Sequence, residues 1–320
     1  MCGYNDGTII KCYNTGDISA ENGANCIGGV CGSNKNGTIT DCYNSGSADG
    51  KNAIGVGGVC GENKGGTVSN CYNTGAVSEG NLVGGICGDN SRGSDGISTV
   101  KNSYNTGSVN GNEGVGGVCG LSDGSIITNC YNTGEVSGNS NVGGVCGANI
   151  LSGDNADITS CYNIGKVSGK TAIGGVCGSN ENGTVTNCYY NKNVCTAGGI
   201  NGEDVEGSAT GLTSDELCSG LPNGFDSSVW TAGSIDPSID SKNPRLRTAT
   251  YIFPSLTGVG EAYSVSDIKQ YNFGINGNDD WQKYTLISTA EEFKAITKDG
   301  ADLKKNYVLG ADIDLKGAVV

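Results

Sequence analysis

The sequence contains no histidine, and this absence removes several classes of function at once. Catalysis by a Ser-His-Asp triad or a Cys-His pair is excluded, as is any metal site with imidazole ligands. Bulky apolar residues are scarce, with four Phe and two Trp among 320 residues, so a conventional globular core would lack filling material. The proline count of four excludes a collagen-like chain.

Long apolar runs and excess positive charge are also missing. No run of roughly 18 or more apolar residues is present, which predicts no membrane insertion. The formal net charge is −14, from 19 Lys and Arg against 33 Asp and Glu. Because such a surface repels phosphate backbones and anionic headgroups, neither nucleic acid nor a membrane surface is an expected partner.

Glycine and cysteine, in contrast, are abundant, with 57 and 16 residues. So many cysteines ordinarily indicate an extracellular disulfide framework or a set of metal sites. The chain has no Cys-x-x-Cys pair, which argues against zinc binding and against redox chemistry at these cysteines. We therefore predict no cofactor and no cysteine-bound metal.

The cysteines belong to an internal repeat that covers the first two thirds of the chain. The phrase GGVCG or GGICG recurs every 27 to 32 residues, and its cysteines are Cys31, Cys60, Cys87, Cys119, Cys146 and Cys177. A second phrase, CYNTG and its variants, has its cysteines at Cys12, Cys42, Cys71, Cys130, Cys161 and Cys188. Ser103 takes the cysteine position in the fourth copy of that second phrase.

Each repeat contains three short β-branched segments separated by Gly and Asn, which tolerate the positive φ of sharp corners. One short segment cannot bury an apolar side alone. Stacking equivalent segments in parallel, about 4.8 Å apart, does bury it. The sequence therefore predicts an all-β fold, a parallel β-solenoid of six to seven repeats of about 29 residues.

The repeat resembles the GLUG motif of large bacterial surface and secreted proteins. These include adhesin-like proteins and regions attached to immunoglobulin-A-cleaving metallopeptidases. VGGVCG followed by GTI-NCYNTG-V carries the resemblance over residues 1–193, with Cys where the family more often has Val. The resemblance implies a right-handed β-helix-like rod and an extracellular location, secreted or anchored at the cell surface, but no particular ligand.

The composition changes after the repeats, since all prolines, tryptophans and phenylalanines follow residue 221. We predict a solenoid array over 1–195, a C-terminal cap over 196–256, a linker over 257–283, and the helix-plus-strand cap of a second array over 284–320. The first cap should contain a short helix with Thr213 or Ser214 as its N-cap. The last segment should contain a helix from Ser288 and a strand from Tyr307 to Leu315. This pattern is typical of a fragment of a longer protein with further repeat arrays.

Stacked repeats place like residues over like, which predicts ladders along the rod. The tyrosine ladder would comprise Tyr13, Tyr43, Tyr72, Tyr104, Tyr131, Tyr162 and Tyr189. The asparagine ladder would comprise Asn14, Asn44, Asn73, Asn105, Asn132 and Asn163. Stacked amides fix register, and stacked rings either do the same or, if they face outward, offer a platform for sugar rings. The cysteines would form either buried thiol ladders or disulfides, between or within coils.

The acidic residues of the repeats show no repeated position, so we interpret them as solvated surface. The paired carboxylates of a polysaccharide-degrading enzyme would require such a pattern. A weak Ca²⁺ candidate is the oxygen-rich set Asp89, Asn90 and Asp95, within an insertion at 89–98 that lacks a known loop signature. A second insertion covers 149–157.

These observations favour a non-enzymatic segment of an adhesin-like bacterial protein. Such a rod would bind a host glycan or matrix protein, with the insertions at 89–98 and 149–157 as the expected contacts. One alternative is a purely structural stalk. Another is an accessory module of a surface peptidase, whose zinc motif would lie outside this sequence.

Overall fold

The computed structural model describes residues 2–20, 24–152, 156–239, 247–252, 254–257, 259, 264–267, 273–274, 281–282, 284–287 and 306–309. The chain divides into two compact units. The first is Met1–Gly233 with Phe253–Tyr263, and the second is Ser234–Ile252 with Ser264–Val320. The domain boundaries expected at 195, 256 and 283 stay predictions.

The first unit is a parallel β-solenoid of about six coils, which confirms the predicted fold class. Each coil passes through three sheets in turn, and every sheet pairs a strand with its equivalent one coil away. Short segments suffice for this fold because each strand is hydrogen-bonded on both sides by its neighbours in the stack. The right-handed sense of the coil stays a prediction.

The strands of the solenoid fall into three sheets. The first sheet comprises Cys2–Asn5, Cys31–Lys35, Cys60–Lys64, Cys87–Ser91, Cys119–Asp123, Cys146–Ile150 and Cys177–Glu181. The second comprises Thr8–Ile10, Tyr13–Asn14, Thr38–Thr40, Tyr43–Asn44, Thr67–Ser69, Tyr72–Asn73, Thr99–Asn105, Ile126–Asn132, Asp157–Thr159, Tyr162–Asn163, Thr184–Thr186, Cys188–Asn191 and Ala209–Leu212. The third comprises Ile18–Ser19, Asn25–Gly28, Ala48–Gly57, Val77–Gly84, Val109–Asn110, Glu113–Gly116, Val136–Ser137, Ser140–Gly143, Val167–Ser168 and Thr171–Gly174.

A left-handed residue marks the corner before each Cys-Tyr-Asn phrase of the second sheet. Asn70, Asn102 and Asn129 have φ values of 53°, 47° and 52°. Asparagine adopts this conformation more readily than most residues because its short side chain bonds locally to the backbone. The corner reverses the alternation of side chains, so the cysteine after it points inward and the tyrosine outward.

The core is a narrow column of small apolar side chains. One buried layer comes from the GGVCG phrase and comprises Val30, Val59, Ile86, Val118, Val145 and Val176. Another comes from the second sheet and comprises Ile39, Val68, Val100, Ile127, Ile158 and Val185. The cysteines of both repeated phrases complete the same cluster. Valine, isoleucine and cysteine fit because three sheets this close together leave no room for larger side chains.

The last strand of the second sheet, Ala209–Leu212, is followed by a single-turn helix, Ser214–Cys218. Thr213 is its N-cap and forms a capping box with Glu216. Leu217 and Cys218 of this helix are buried. The helix therefore begins where one of the two predicted N-caps stands.

The two insertions begin inside strands. Asp89 to Ser91 belong to the strand Cys87–Ser91, so the first loop is confined to 92–98. Asn149 and Ile150 likewise end the strand Cys146–Ile150, and Asp157 begins the strand Asp157–Thr159. Residues 153–155 of the second insertion lie outside the described residues.

The remaining strands pair locally. Trp230–Thr231 pairs with Ser255–Leu256, Arg247–Ile252 pairs with both Ser234–Ile239 and Ser264–Asp267, and Phe273–Gly274 pairs with Trp281–Gln282, all antiparallel. Tyr284–Ile287 pairs in parallel with Asn306–Leu309, which covers the start of the strand predicted from Tyr307. The predicted helix from Ser288 and most of the predicted linker lie outside the described residues.

Candidate functional site

Both cysteine ladders are in parallel register and lie in the interior except for the exposed Cys12, and all sixteen cysteines are free thiols. Most of these thiols bond locally to the backbone; the Cys60 thiol, for example, donates to the Glu62 carbonyl oxygen at 3.0 Å. Burial raises the pKa of Cys87 to about 11 and the pKa of Cys119 well above its ordinary value. Since the thiolate is the nucleophile and the metal ligand, these cysteines act as small buried hydrophobes.

Ser103 takes over the hydrogen bonds of the cysteine that it replaces. Its hydroxyl donates to the Lys101 carbonyl oxygen at 2.8 Å and accepts from the backbone N–H of Cys71 at 3.1 Å. The Cys161 sulfur accepts in the same way from the backbone N–H of Cys130 at 3.3 Å. Serine therefore makes the same kinds of hydrogen bond in this ladder as cysteine does.

The predicted asparagine positions form a continuous chain of amide hydrogen bonds from Asn14 to Asn163. Each amide donates to the side-chain oxygen of the next coil at 2.7–2.8 Å. The same amide donates to a glycine carbonyl two residues further on, as Asn105 does to Gly107 at 2.6 Å. The GG dipeptide makes room for this ladder, because a Cβ on Gly117 would lie 2.4 Å from Cγ of Asn132.

A second asparagine ladder, which we did not predict, lies three residues after the cysteine of the GGVCG phrase. Its members are Asn5, Asn34, Asn63, Asn90, Asn149 and Asn180. Asn63, for instance, donates to Asn90 at 2.8 Å. The sequence signal was the asparagine in CGxN, which recurs in every coil except the one that contains Ser122.

Ser122 interrupts this second ladder. Its side chain is fully buried, and neither its hydroxyl nor the Asn149 side-chain oxygen has a hydrogen-bond partner among the described residues. Where the ladder is intact, the asparagine side-chain oxygen of each coil accepts a hydrogen bond from the asparagine amide of the preceding coil. The serine side chain is too short to provide this bond, so a buried acceptor is left unpaired.

The tyrosine ladder lies on the outer side of the second sheet. Consecutive rings from Tyr13 to Tyr162 are 4.8–5.2 Å apart and within 6° of parallel. Each ring face therefore covers its neighbour, and mainly the ring edges point outward. A sugar that stacks on an aromatic residue needs an open ring face, so this arrangement favours the structural interpretation of the ladder. Tyr189 pairs in register with Tyr162, but its ring packs at a tilt on Phe225.

An aromatic strap, residues 221–230, covers the C-terminal half of the tyrosine ladder. The Trp230 ring lies 6.0 Å from Tyr131 and 5.7 Å from Tyr162, and its N–H donates to Asn129 at 3.3 Å. The Tyr162 hydroxyl also donates to the Pro254 carbonyl oxygen. Tyr131 is consequently 0% exposed, whereas Tyr13 at the other end is 65% exposed. Burial raises the pKa of Tyr131 well above its ordinary value.

The three Ca²⁺ candidates are placed differently from one another. Asn90 is buried in the second asparagine ladder, where its oxygen accepts from Asn63. Asp89 accepts a hydrogen bond from Ser91, and burial raises its pKa. Asp95 is exposed in the loop and accepts from Asn36 at 3.3 Å. Within the described part of the chain, no group of three or more Cys, Asp or Glu side chains is arranged to hold a metal ion.

A polar trough crosses three successive coils at one corner of the third sheet. Its floor consists of Gly111, Gly138 and Gly169. One wall is formed by Asn110, Ser137 and Ser168, and the other includes Asn139 and Lys170. No described residue of the insertions at 89–98 and 149–157, the contacts expected from the sequence, lines this trough. In the described residues, no helix is long and apolar enough to cross a bilayer.

The fold and its ladders define a β-solenoid repeat protein. Residues 111–137, one coil of the stack, match the family model described as the GLUG motif, which confirms the resemblance seen in the sequence. No curated protein matches the chain. A solved structure described as a "putative immunoglobulin A1 protease" from Bacteroides ovatus aligns with 17% identity and a TM-score of 0.47. The alignment covers 79% of this chain and 76% of that one.

Proposed function

We propose that this GLUG-repeat module is a rigid, non-enzymatic spacer within a larger bacterial protein that is secreted or anchored at the cell surface. The supporting observation is the asparagine ladder that runs unbroken from Asn14 to Asn163. Bending the rod would open these buried bonds together with the backbone bonds of three sheets. Each buried group left without a partner costs about 1–3 kcal/mol, so the solenoid resists bending.

The repeat also sets length in equal steps. Equivalent tyrosine rings of successive coils are about 5 Å apart, so each added repeat lengthens the rod by this amount. Nothing in the register of the sheets depends on the number of coils, because each coil contacts mainly its two neighbours. Adding or removing whole repeats therefore changes the length of the spacer in equal steps.

Deletion of residues 111–137 tests the proposal, because it removes one complete coil and joins Asn110 to Gly138 in the register of Ser137 and Gly138. We expect a folded protein whose maximum dimension, measured by small-angle X-ray scattering, reflects a solenoid shorter by one coil. Force spectroscopy should show that both proteins resist stretching until whole coils are lost. A matched deletion of 116–142 changes the junction but not the register and should behave alike. Unfolding by the deletions, or easy extension at low force, would contradict the spacer role.

A further inference from the structure

We propose that the polar trough on coils four to six binds a neutral, extended β-linked oligosaccharide. This function goes beyond the spacer role and does not depend on it. The ligand class follows from the floor, the walls and the charge of the trough.

The floor is concave because glycine lets the backbone close over the core. A Cβ on Gly138 would lie 2.8 Å from a methyl carbon of Val115, and one on Gly111 would lie 2.7 Å from a methyl carbon of Val83. Two of the floor N–H groups already bond between coils, since Gly111 donates to the Ser137 carbonyl oxygen at 3.0 Å and Gly138 donates to the Ser168 carbonyl oxygen at 3.1 Å. A peptide therefore cannot add as a strand here, and recognition has to use side chains.

The walls offer side-chain amides and hydroxyls, the groups that pair with sugar hydroxyls. Asn110 donates to the Ser137 hydroxyl at 2.8 Å, and Asn139 donates to Asn112 at 2.6 Å, so the wall side chains are oriented before a ligand arrives. Within the described part of the chain, the Asn139 side-chain oxygen and the Ser168 hydroxyl take part in no such bond. Both are thus available to a ligand.

The spacing of the wall groups and the charge of the trough restrict the class of ligand further. Equivalent wall groups repeat at the coil spacing of about 5 Å, which is similar to the advance per sugar in an extended β-1,4-linked chain. Lys170 is the only charged residue of the trough, and the chain carries a net charge of −14, which disfavours polyanionic glycans. In the preceding coil, Glu79 stands at the register position of Gly111, so the glycine floor of the trough begins at Gly111.

Cellohexaose, a neutral β-1,4-linked probe, tests the proposal by saturation-transfer NMR titration of the full chain. We expect saturable binding, no binding of the α-linked maltohexaose, and at least tenfold weaker binding by the double variant Asn139→Ala with Ser168→Ala. The matched control Ser78→Ala, at the equivalent position one coil before the trough, should bind like the unchanged protein. Circular dichroism checks that each variant is folded.

Three outcomes would overturn the proposal. They are no saturable binding by the folded chain, equal binding of cellohexaose and maltohexaose, and a double variant that binds as tightly as the control. None of these results affects the spacer role, which is tested by the coil deletions without any ligand.

Discussion

The two asparagine ladders run along the same rod and differ at one position. The ladder from Asn14 to Asn163 has an amide in every coil, and each amide is bonded to the next. The ladder from Asn5 to Asn180 has Ser122 in the fifth coil, where the Asn149 oxygen is left without a partner. The stack evidently tolerates one interrupted ladder while its neighbour stays complete.

Serine replaces a ladder residue at two positions, Ser103 in the cysteine ladder and Ser122 in the second asparagine ladder. Only Ser122 leaves buried groups unpaired. Ser103 is close in size to cysteine and keeps both the donor and the acceptor function of the thiol. Ser122 is shorter than asparagine and lacks the second donor that the ladder uses. Reach and hydrogen-bonding pattern, more than polarity, determine whether a residue fits a ladder.

The largest expected effect is the loss of stability at high pH, because the thiols of the cysteine ladders ionise and the amides of the asparagine ladders do not. Burial raises the pKa of Cys87, Cys119 and Cys161, so folding disfavours their ionisation. Their contribution to stability is complete below about pH 8.5, the ordinary thiol pKa, and is lost as the pH rises further. Each such thiol should lower the free energy of unfolding by about 1.4 kcal/mol per pH unit. Urea unfolding under reductant at pH 7, 8.5 and 10 measures the loss.

The variant Cys119→Val is the control for this pH dependence, since it removes one ionisable group and keeps an apolar side chain. We expect a shallower fall above pH 8.5. Cys42 acts in the opposite sense, because a hydrogen bond with Cys71 lowers its pKa to about 7; its contribution is lost as the pH falls through that value. Stability that stays constant between pH 8.5 and 10 would show that the thiols are not buried as described.

Breaking the complete ladder should have the next largest effect. Asn105→Ala leaves the Asn132 side-chain oxygen and the Gly107 carbonyl oxygen without their amide donor. The Gly107 oxygen is then unpaired, and the Asn132 oxygen keeps only the Gly134 N–H at 3.2 Å. The free energy of unfolding should fall by about 3 kcal/mol, measured by urea unfolding at pH 7. Asn110→Ala, on the exposed surface, should cost less than about 0.5 kcal/mol. Equal losses in the two variants would mean that the ladder adds nothing to stability.

Restoring an asparagine at position 122 of the second asparagine ladder should stabilise the protein. In Ser122→Asn the new amide can donate to Asn149, as Asn63 does to Asn90. We expect a gain of about 1 kcal/mol in the free energy of unfolding, measured as a shift of the urea midpoint. The reverse change, Asn63→Ser, should cost at least as much. A Ser122→Asn variant that is less stable than the unchanged protein would contradict this explanation of the unpaired oxygen.

The smallest effect is expected at Ser103. Since serine already makes the hydrogen bonds of the ladder, Ser103→Cys should change the free energy of unfolding by less than about 0.5 kcal/mol. Ser103→Ala leaves the buried backbone N–H of Cys71 without an acceptor and should cost about 1 kcal/mol or more. Thermal unfolding of both variants makes the comparison, and equal stability would contradict it.

The repeat made the solenoid and its stacked positions predictable. Parallel register places Cys60 beside Cys31 and Cys87, so any residue that recurs once per repeat must form a ladder. The second asparagine ladder followed from the same rule and was missed because its CGxN signal adjoins the more conspicuous cysteine phrase. The break at Ser122 was visible as a departure from the repeat, but its cost depends on burial.

The sequence by itself determined the period, the parallel stacking and the residue content of each ladder, because a repeated chain meets its own equivalents at every coil. Only the tertiary structure decided which ladders face the core, since the left-handed corners at Asn70, Asn102 and Asn129 reset the alternation of side chains. It also decided that Trp230 covers Tyr131 and Tyr162. The strap is not part of the repeat, so its packing on a distant ladder had no counterpart in the sequence pattern.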